Sequence, residues 1–294
     1  VKIFRTVVAV VATLAIGGCA TASQTGQGAA GAGFSDRVSE TKHPSDLVGV
    51  WRVTGEPGES GDSWLRFDAH AVTVWRDCGI VEGSWRANGE LFVADTYLTY
   101  GEGCLVPDAI AVDWLNRVRG YTTTDHGIEL ADANGAAVTT LVDDGSRPPS
   151  NPYNTATVGD PELTAETVSE LEPGLPLPAG VNPATDIVGR WIAADATSTA
   201  PEEPYVEFHA DGSYTTTEGC NLTGGRWALG HDADFLATVG TSTDMACDMI
   251  DIPAWVGSAS SIGAEHRESG ETVLTLYGAG GDPLGHLESA AAVQ

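Results

Sequence analysis

Positive charge is what this sequence lacks. Only 14 lysines and arginines stand against 41 aspartates and glutamates, a formal net charge of −27 over 294 residues. A chain this acidic repels phosphate backbones, which argues against nucleic acid as a partner. The excess acid reads as a solvated, solubilising surface. Leucine and lysine, which favour helices, are sparse, while Gly, Thr, Val and Trp are plentiful, a balance that points to short strands and tight turns. No Rossmann glycine pattern and no phosphate loop is present. Cysteine is scarce at five residues, and no pair has the short spacing of a zinc site, so neither a metal nor a cofactor is expected.

The N-terminal residues read as an address. Lys2 and Arg5 precede an apolar run at 6–16 that is too short to span a bilayer, and small residues follow. The stretch "IGGC" at 16–19 resembles the lipobox of bacterial lipoproteins. That resemblance implies a signal peptide over 1–18 and lipid attachment at Cys19. The protein is then expected on the cell membrane, lipid-anchored and facing the outside of the cytoplasm. Residues 19–45 are small and polar and predict a flexible tether.

Beyond the tether the sequence occurs twice. "RDCGIVEGSW" at 76–85 pairs with "EGCNLTGGRW" at 218–227, each with a cysteine seven residues before a tryptophan. "DLVGVW" at 46–51 pairs with "DIVGRW" at 186–191, and "WLRFDAH" at 64–70 with "YVEFHADG" at 205–212. Trp114 follows Cys104 as Trp255 follows Cys247. Between the copies, 148–183 holds eight of the 15 prolines, which keeps that stretch out of a sheet and predicts a linker over 143–185. A brief helix suits "TAETVSEL" within it. The copies are placed at 46–142 and 186–289.

Each copy reads as a mainly β domain of about eight strands and one helix, a small antiparallel barrel or strongly curved sheet. "ANG" at 133–135 and "ADG" at 210–212 are hairpin signals. Asp108 and Asp251 are placed to cap the helices. Gly79, Gly219 and Asn221 suit positive φ in tight turns.

"IVGRW" at 187–191, "GCN" at 219–221, "GGRW" at 224–227, "TSTDMAC" at 241–247 and "LTLY" at 274–277 together resemble the META domain, the family of the heat-shock protein HslJ and of many bacterial lipoproteins. Copy one departs from the pattern, with "DCG" at 77–79 and "YGEGC" at 100–104, and reads as a diverged copy. The resemblance implies a lipocalin-like barrel character and brings no established enzymatic activity.

In an envelope compartment, paired cysteines at matched spacing read as disulfides. Cys78 and Cys104 are 26 residues apart and Cys220 and Cys247 are 27 apart, so pairing within each copy gives Cys78–Cys104 and Cys220–Cys247. A closed loop of about 27 residues stabilises a small domain by roughly 3–4 kcal/mol in the chain-entropy model. A catalytic thiol would need a base, and no histidine recurs beside either pair. "GDSW" at 61–64 and "SETK" at 39–42 carry isolated serine motifs without their partner motifs. The recurring tryptophans read as core, with a ligand-lined barrel mouth as the alternative. The sequence therefore predicts a non-enzymatic, lipid-anchored envelope protein in interaction or envelope maintenance. The alternative is a lipocalin-like carrier of a small apolar ligand. Its partners are the membrane, through Cys19, and an unidentified protein or apolar molecule.

Overall fold

The computed structural model describes residues 43–55, 63–76, 79–100, 111–125, 127–149, 158–194, 200–243, 245 and 250–290. The chain forms two eight-stranded antiparallel sheets with the same element order. The first half runs β1 (Gly49–Thr54), β2 (Trp64–Phe67), β3 (Ala71–Arg76), β4 (Gly79–Asn88), β5 (Leu91–Tyr100), α1 (Asp113–Arg117), β6 (Val118–Thr124), β7 (Gly127–Asp132) and β8 (Ala137–Val142). A helix, α2 (Ala165–Glu170), lies between the halves. The second half runs β9 (Gly189–Ala193), β10 (Tyr205–Phe208), β11 (Ser213–Thr217), β12 (Leu222–Leu229), β13 (Phe235–Ala237), α3 (Ile252–Ser258), β14 (Ala259–His266), β15 (Thr272–Gly278) and β16 (Pro283–Ser289).

In the first half β8 pairs back onto β1, and the sheet closes into a barrel. Its thinnest join among the described residues lies between β5 and β6, where Leu91 pairs with Gly120. The second sheet has its two edges, β13 and β14, at the same place in the order. There a single bridge, Asp234 to Ser261, and a bond from Ile262 N to Ala233 O (3.0 Å) draw the edges together. The cause is shared: in each half the chain leaves the sheet between these strands to form its helix. Ala233 is the described non-glycine residue at positive φ, 65°, and that backbone turns its carbonyl onto the seam.

Alternation along the strands sorts the side chains. Leu65, Phe67, Val72 and Val74 are fully buried inside the first barrel. Phe67, Trp85 and Phe92 pack together there at ring separations of 4.9 to 6.2 Å. Phe208, Trp227 and Phe235 stand at the matching positions of the second, with Phe208 5.6 Å from Trp227 and 5.8 Å from Phe235. The matched tryptophans also make matched bonds. Trp51 Nε1 donates to Leu47 O (2.8 Å) and Trp191 Nε1 to Ile187 O (2.7 Å). Trp85 Nε1 donates to Asp68 O (2.7 Å), and Trp227 Nε1 to His209 O (3.2 Å) and Ser213 O (2.9 Å). Trp85 and Trp191 are buried and Trp51 and Trp227 half-buried, each with its one donor satisfied.

Turn and cap chemistry follows the sequence closely. Gly135 and Gly212 turn the β7–β8 and β10–β11 hairpins at φ 75° and 79°. Asp251 caps α3 by accepting from Ala254 N at 3.0 Å, with a proline in the first turn. Thr164 caps α2, accepting from Thr167 N at 3.1 Å. Asp108 lies outside the described residues, and the described helix starts at Asp113 with Val112 at its cap.

The described part of the proline-rich segment, 158–185, is a strap packed along both halves. Arg147 holds Asp160 with two bonds from Nη2, 2.8 and 2.9 Å. Leu171 is buried against the first core. Leu175 N donates to Ala279 O (2.8 Å), Ala184 N to Ile262 O (3.0 Å), and Pro183 bridges Gly263. Proline content keeps this segment out of the sheets, but its remaining backbone groups still find partners on their rims.

Candidate functional site

The "EGCN" stretch is built into a clasp. Gly219, at φ 102°, leaves no room for a side chain, since a Cβ would sit 2.4 Å from Ala200 Cβ and 2.5 Å from Glu202 O. Gly79 has φ 145° at the matching turn of the first half. Asn221 has no positive φ; its side chain is what matters. Its Nδ2 donates to Glu218 Oε1 and to Met245 O (2.9 Å), while its Oδ1 accepts from Thr243 Oγ1 (2.8 Å) and Met245 N (2.8 Å). Glu218 Oε1 also accepts from Asn221 N at 3.0 Å. Glu218 and Asn221 are both buried. The carboxamide therefore ties the β11–β12 turn to the segment after β13.

The double glycine of "LTGGRW" serves close approach. A Cβ on Gly224 would lie 2.5 Å from Tyr214 O, and one on Gly225 would lie 2.6 Å from Thr238 O. Tyr214 OH donates to that same Thr238 carbonyl. Burial pushes the Tyr214 phenol well above its ordinary value, and the nearby Asp95 adds to this.

Of the residues singled out in the sequence, Cys220 lies in this turn, half-buried. Cys19, Cys78, Cys104 and Cys247 lie outside the described residues. Of the paired tryptophans, Trp85 and Trp227 pack with phenylalanines in the two interiors, while Trp255 lies against Gly285 of β16. Among the described residues no group of three or more His, Cys, Asp and Glu is arranged to hold a metal.

The two halves meet through chemistry that sequence reading missed. Leu91 and Val93, on the outer face of β5, pack against Ala228 and Leu236 of the second half. Two arginines, one from each half, share two carbonyls. Arg119 donates to Asn116 O (2.8 Å) and Asp211 O (3.3 Å), and Arg226 donates to Asn116 O (2.9 Å) and Asp211 O (2.7 Å). Burial, and then the like charge of Arg226, push Arg119 down to about 10, against the opposing pull of Asp211. Arg86, on β4, donates from Nη1 to Gly257 O (2.5 Å) and Ala259 O (3.2 Å) at the end of α3. Ser84 Oγ donates to Val239 O at 3.1 Å.

Beside this junction lies a cleft of about 340 Å³. Its walls are the outer face of β4, the strap at 170–174, and the second half around 236–239 and 257–260. Glu170 Oε2 is 3.4 Å from His70 Nε2, and Glu172 Oε2 is 3.5 Å from His43 Nε2.

The geometry thus defines a class: paired eight-stranded antiparallel β units, filled with side chains and docked side by side. The comparison with known families then places the second unit. Residues 187–291 match the family model of the META domain, which spans β9 to β16 with α3. No curated protein matches this sequence. A protein from Burkholderia xenovorans, solved by NMR, is 20% identical to this chain; the alignment covers 49% of this chain and 99% of that one, with a TM-score of 0.23.

Proposed function

We propose that this protein is a non-enzymatic, lipid-anchored envelope protein whose paired domains serve interaction or envelope maintenance. The observation that supports this best is the filling of the barrel and of the curved second sheet. Trp85, Phe67 and Phe92 occupy one interior and Phe208, Trp227 and Phe235 the other, so binding surfaces lie on the outside. The same filling disfavours a carrier that holds an apolar ligand inside a barrel, which would need a hollow of about 300 Å³ or more. The buried polar groups of the META domain support a structural role, because Glu218 and Asn221 spend their hydrogen bonds on a loop clasp. The proposed staples are Cys78–Cys104 and Cys220–Cys247. In support of the second pair, Asn221 holds Met245, two residues before Cys247, beside the turn that carries Cys220.

Anchoring rests on Cys19 and the lipobox-like residues before it. Cys19→Ala should shift the protein from the membrane to the soluble fraction or block its processing. Membrane partition and intact mass unchanged from the wild type would overturn the anchoring.

A further inference from the structure

The outer face of β4 presents Ser84, Arg86 and Asn88 at alternate positions, all lining the cleft between the halves. Ser84 and one nitrogen of Arg86 are spent on holding the second half. The rest of the set is not spent. Arg86 Nε and Nη2 and the whole carboxamide of Asn88 have no hydrogen-bond partner among the described residues, yet Asn88 is only 7% exposed. The carboxamide lines the cleft, so its donor and acceptor are open to a partner that enters there. Arg86 also has no acid against it, in a chain of 41 acids. The acids that share the cleft, Glu170 and Glu172, stand on the strap and face His70 and His43.

One wall therefore offers a guanidinium and an amide, and the strap wall offers two carboxylates. A guanidinium takes a carboxylate through two parallel bonds. Carboxylates take an ammonium. A phosphate, with its greater negative charge, would be repelled by the strap. We propose that the cleft binds a small zwitterion of amino-acid or short-peptide size. Its carboxylate lies on Arg86 and Asn88 and its ammonium lies toward Glu170 and Glu172. The site goes beyond the function proposed above and does not depend on lipid attachment.

The probe is L-alanyl-L-alanine, titrated calorimetrically into the full protein. Its C-terminal amide and its N-acetyl form are the controls. The dipeptide should bind saturably, and each control should bind at least about tenfold more weakly, equivalent to 1.4 kcal/mol. Asn88→Leu should abolish the dipeptide signal without lowering the melting temperature, because the native carboxamide makes no bond. Arg86→Lys should weaken binding by about tenfold, since an ammonium cannot take a carboxylate through a planar fork. Absence of saturable binding up to about 10 mM would overturn the proposal. So would equal affinity for the dipeptide and its amide, or for wild type and Asn88→Leu. Equal binding of the N-acetyl form would remove the strap from the site and overturn the zwitterion assignment.

Discussion

Asn221 shows how one residue can carry a motif. Its type suggests a turn residue at positive φ, and the turn does hold one, but that residue is Gly219. Asn221 instead spends both ends of its side chain on Glu218, Thr243 and Met245. Alanine there would remove one of the two bonds to the buried Glu218 carboxylate and the side-chain bonds to Thr243 and to the amide and carbonyl of Met245. Asn221→Ala is expected to destabilise the second half by about 2–4 kcal/mol, read from urea unfolding followed by tryptophan fluorescence. Asn221→Asp, nearly the same shape, should cost at least as much, because it replaces two donors with a second acid beside Glu218. A variant as stable as wild type would show that the clasp contributes nothing. Sequence pattern located the residue, but its role depends on a segment more than 20 positions away that only folding brings near.

At the scale of elements, the matched strands, the hairpins and the cap of α3 were legible because each depends on neighbours in the chain. Gly79 and Gly219 announced their turns, and Asp251 its helix. What the helices cover was not legible. Trp255 of α3 lies flat over Gly285 of β16, where a Cβ would sit 2.3 Å from the indole. This contact packs the helix onto the second sheet. Gly285→Ala should push the indole out and cost about 1–3 kcal/mol, seen as a lower midpoint in thermal unfolding. An unchanged midpoint would mean that the helix shifts freely. The strap was legible only in part, for a related reason. Proline density shows that 158–185 avoids the sheets but carries no sign of which rim accepts Leu175 or Pro183. Arg86 gave no signal at all, since an arginine on an alternating strand reads as solvated surface. Its cleft forms from three segments that are far apart in the chain.

For the whole molecule, the question is whether the halves act as one body. Val93 is fully buried against Ala228 and Leu236, outside either barrel. Val93→Asp would place a carboxylate there with no cation provided for it, at a cost of about 2–4 kcal/mol. Calorimetry should then show the halves melting apart, where the native chain melts as a coupled unit. A single transition at the native midpoint would show that the apolar contact does not join them.

The paired arginines carry a consequence of another kind. Arg119 and Arg226 dock on the main-chain oxygens of Asn116 and Asp211, which every amino acid possesses. The junction thus reads the path of the backbone rather than the identity of the side chains along it. Substitutions can accumulate at 116, and over much of both facing surfaces, while the halves keep their mutual register. Gly212 is the exception, since a Cβ there would lie 2.1 Å from Arg119 Nη2. A first half whose motif residues have drifted far from those of the second can in this way keep this part of the junction, which rests on two arginines, two carbonyls and one glycine.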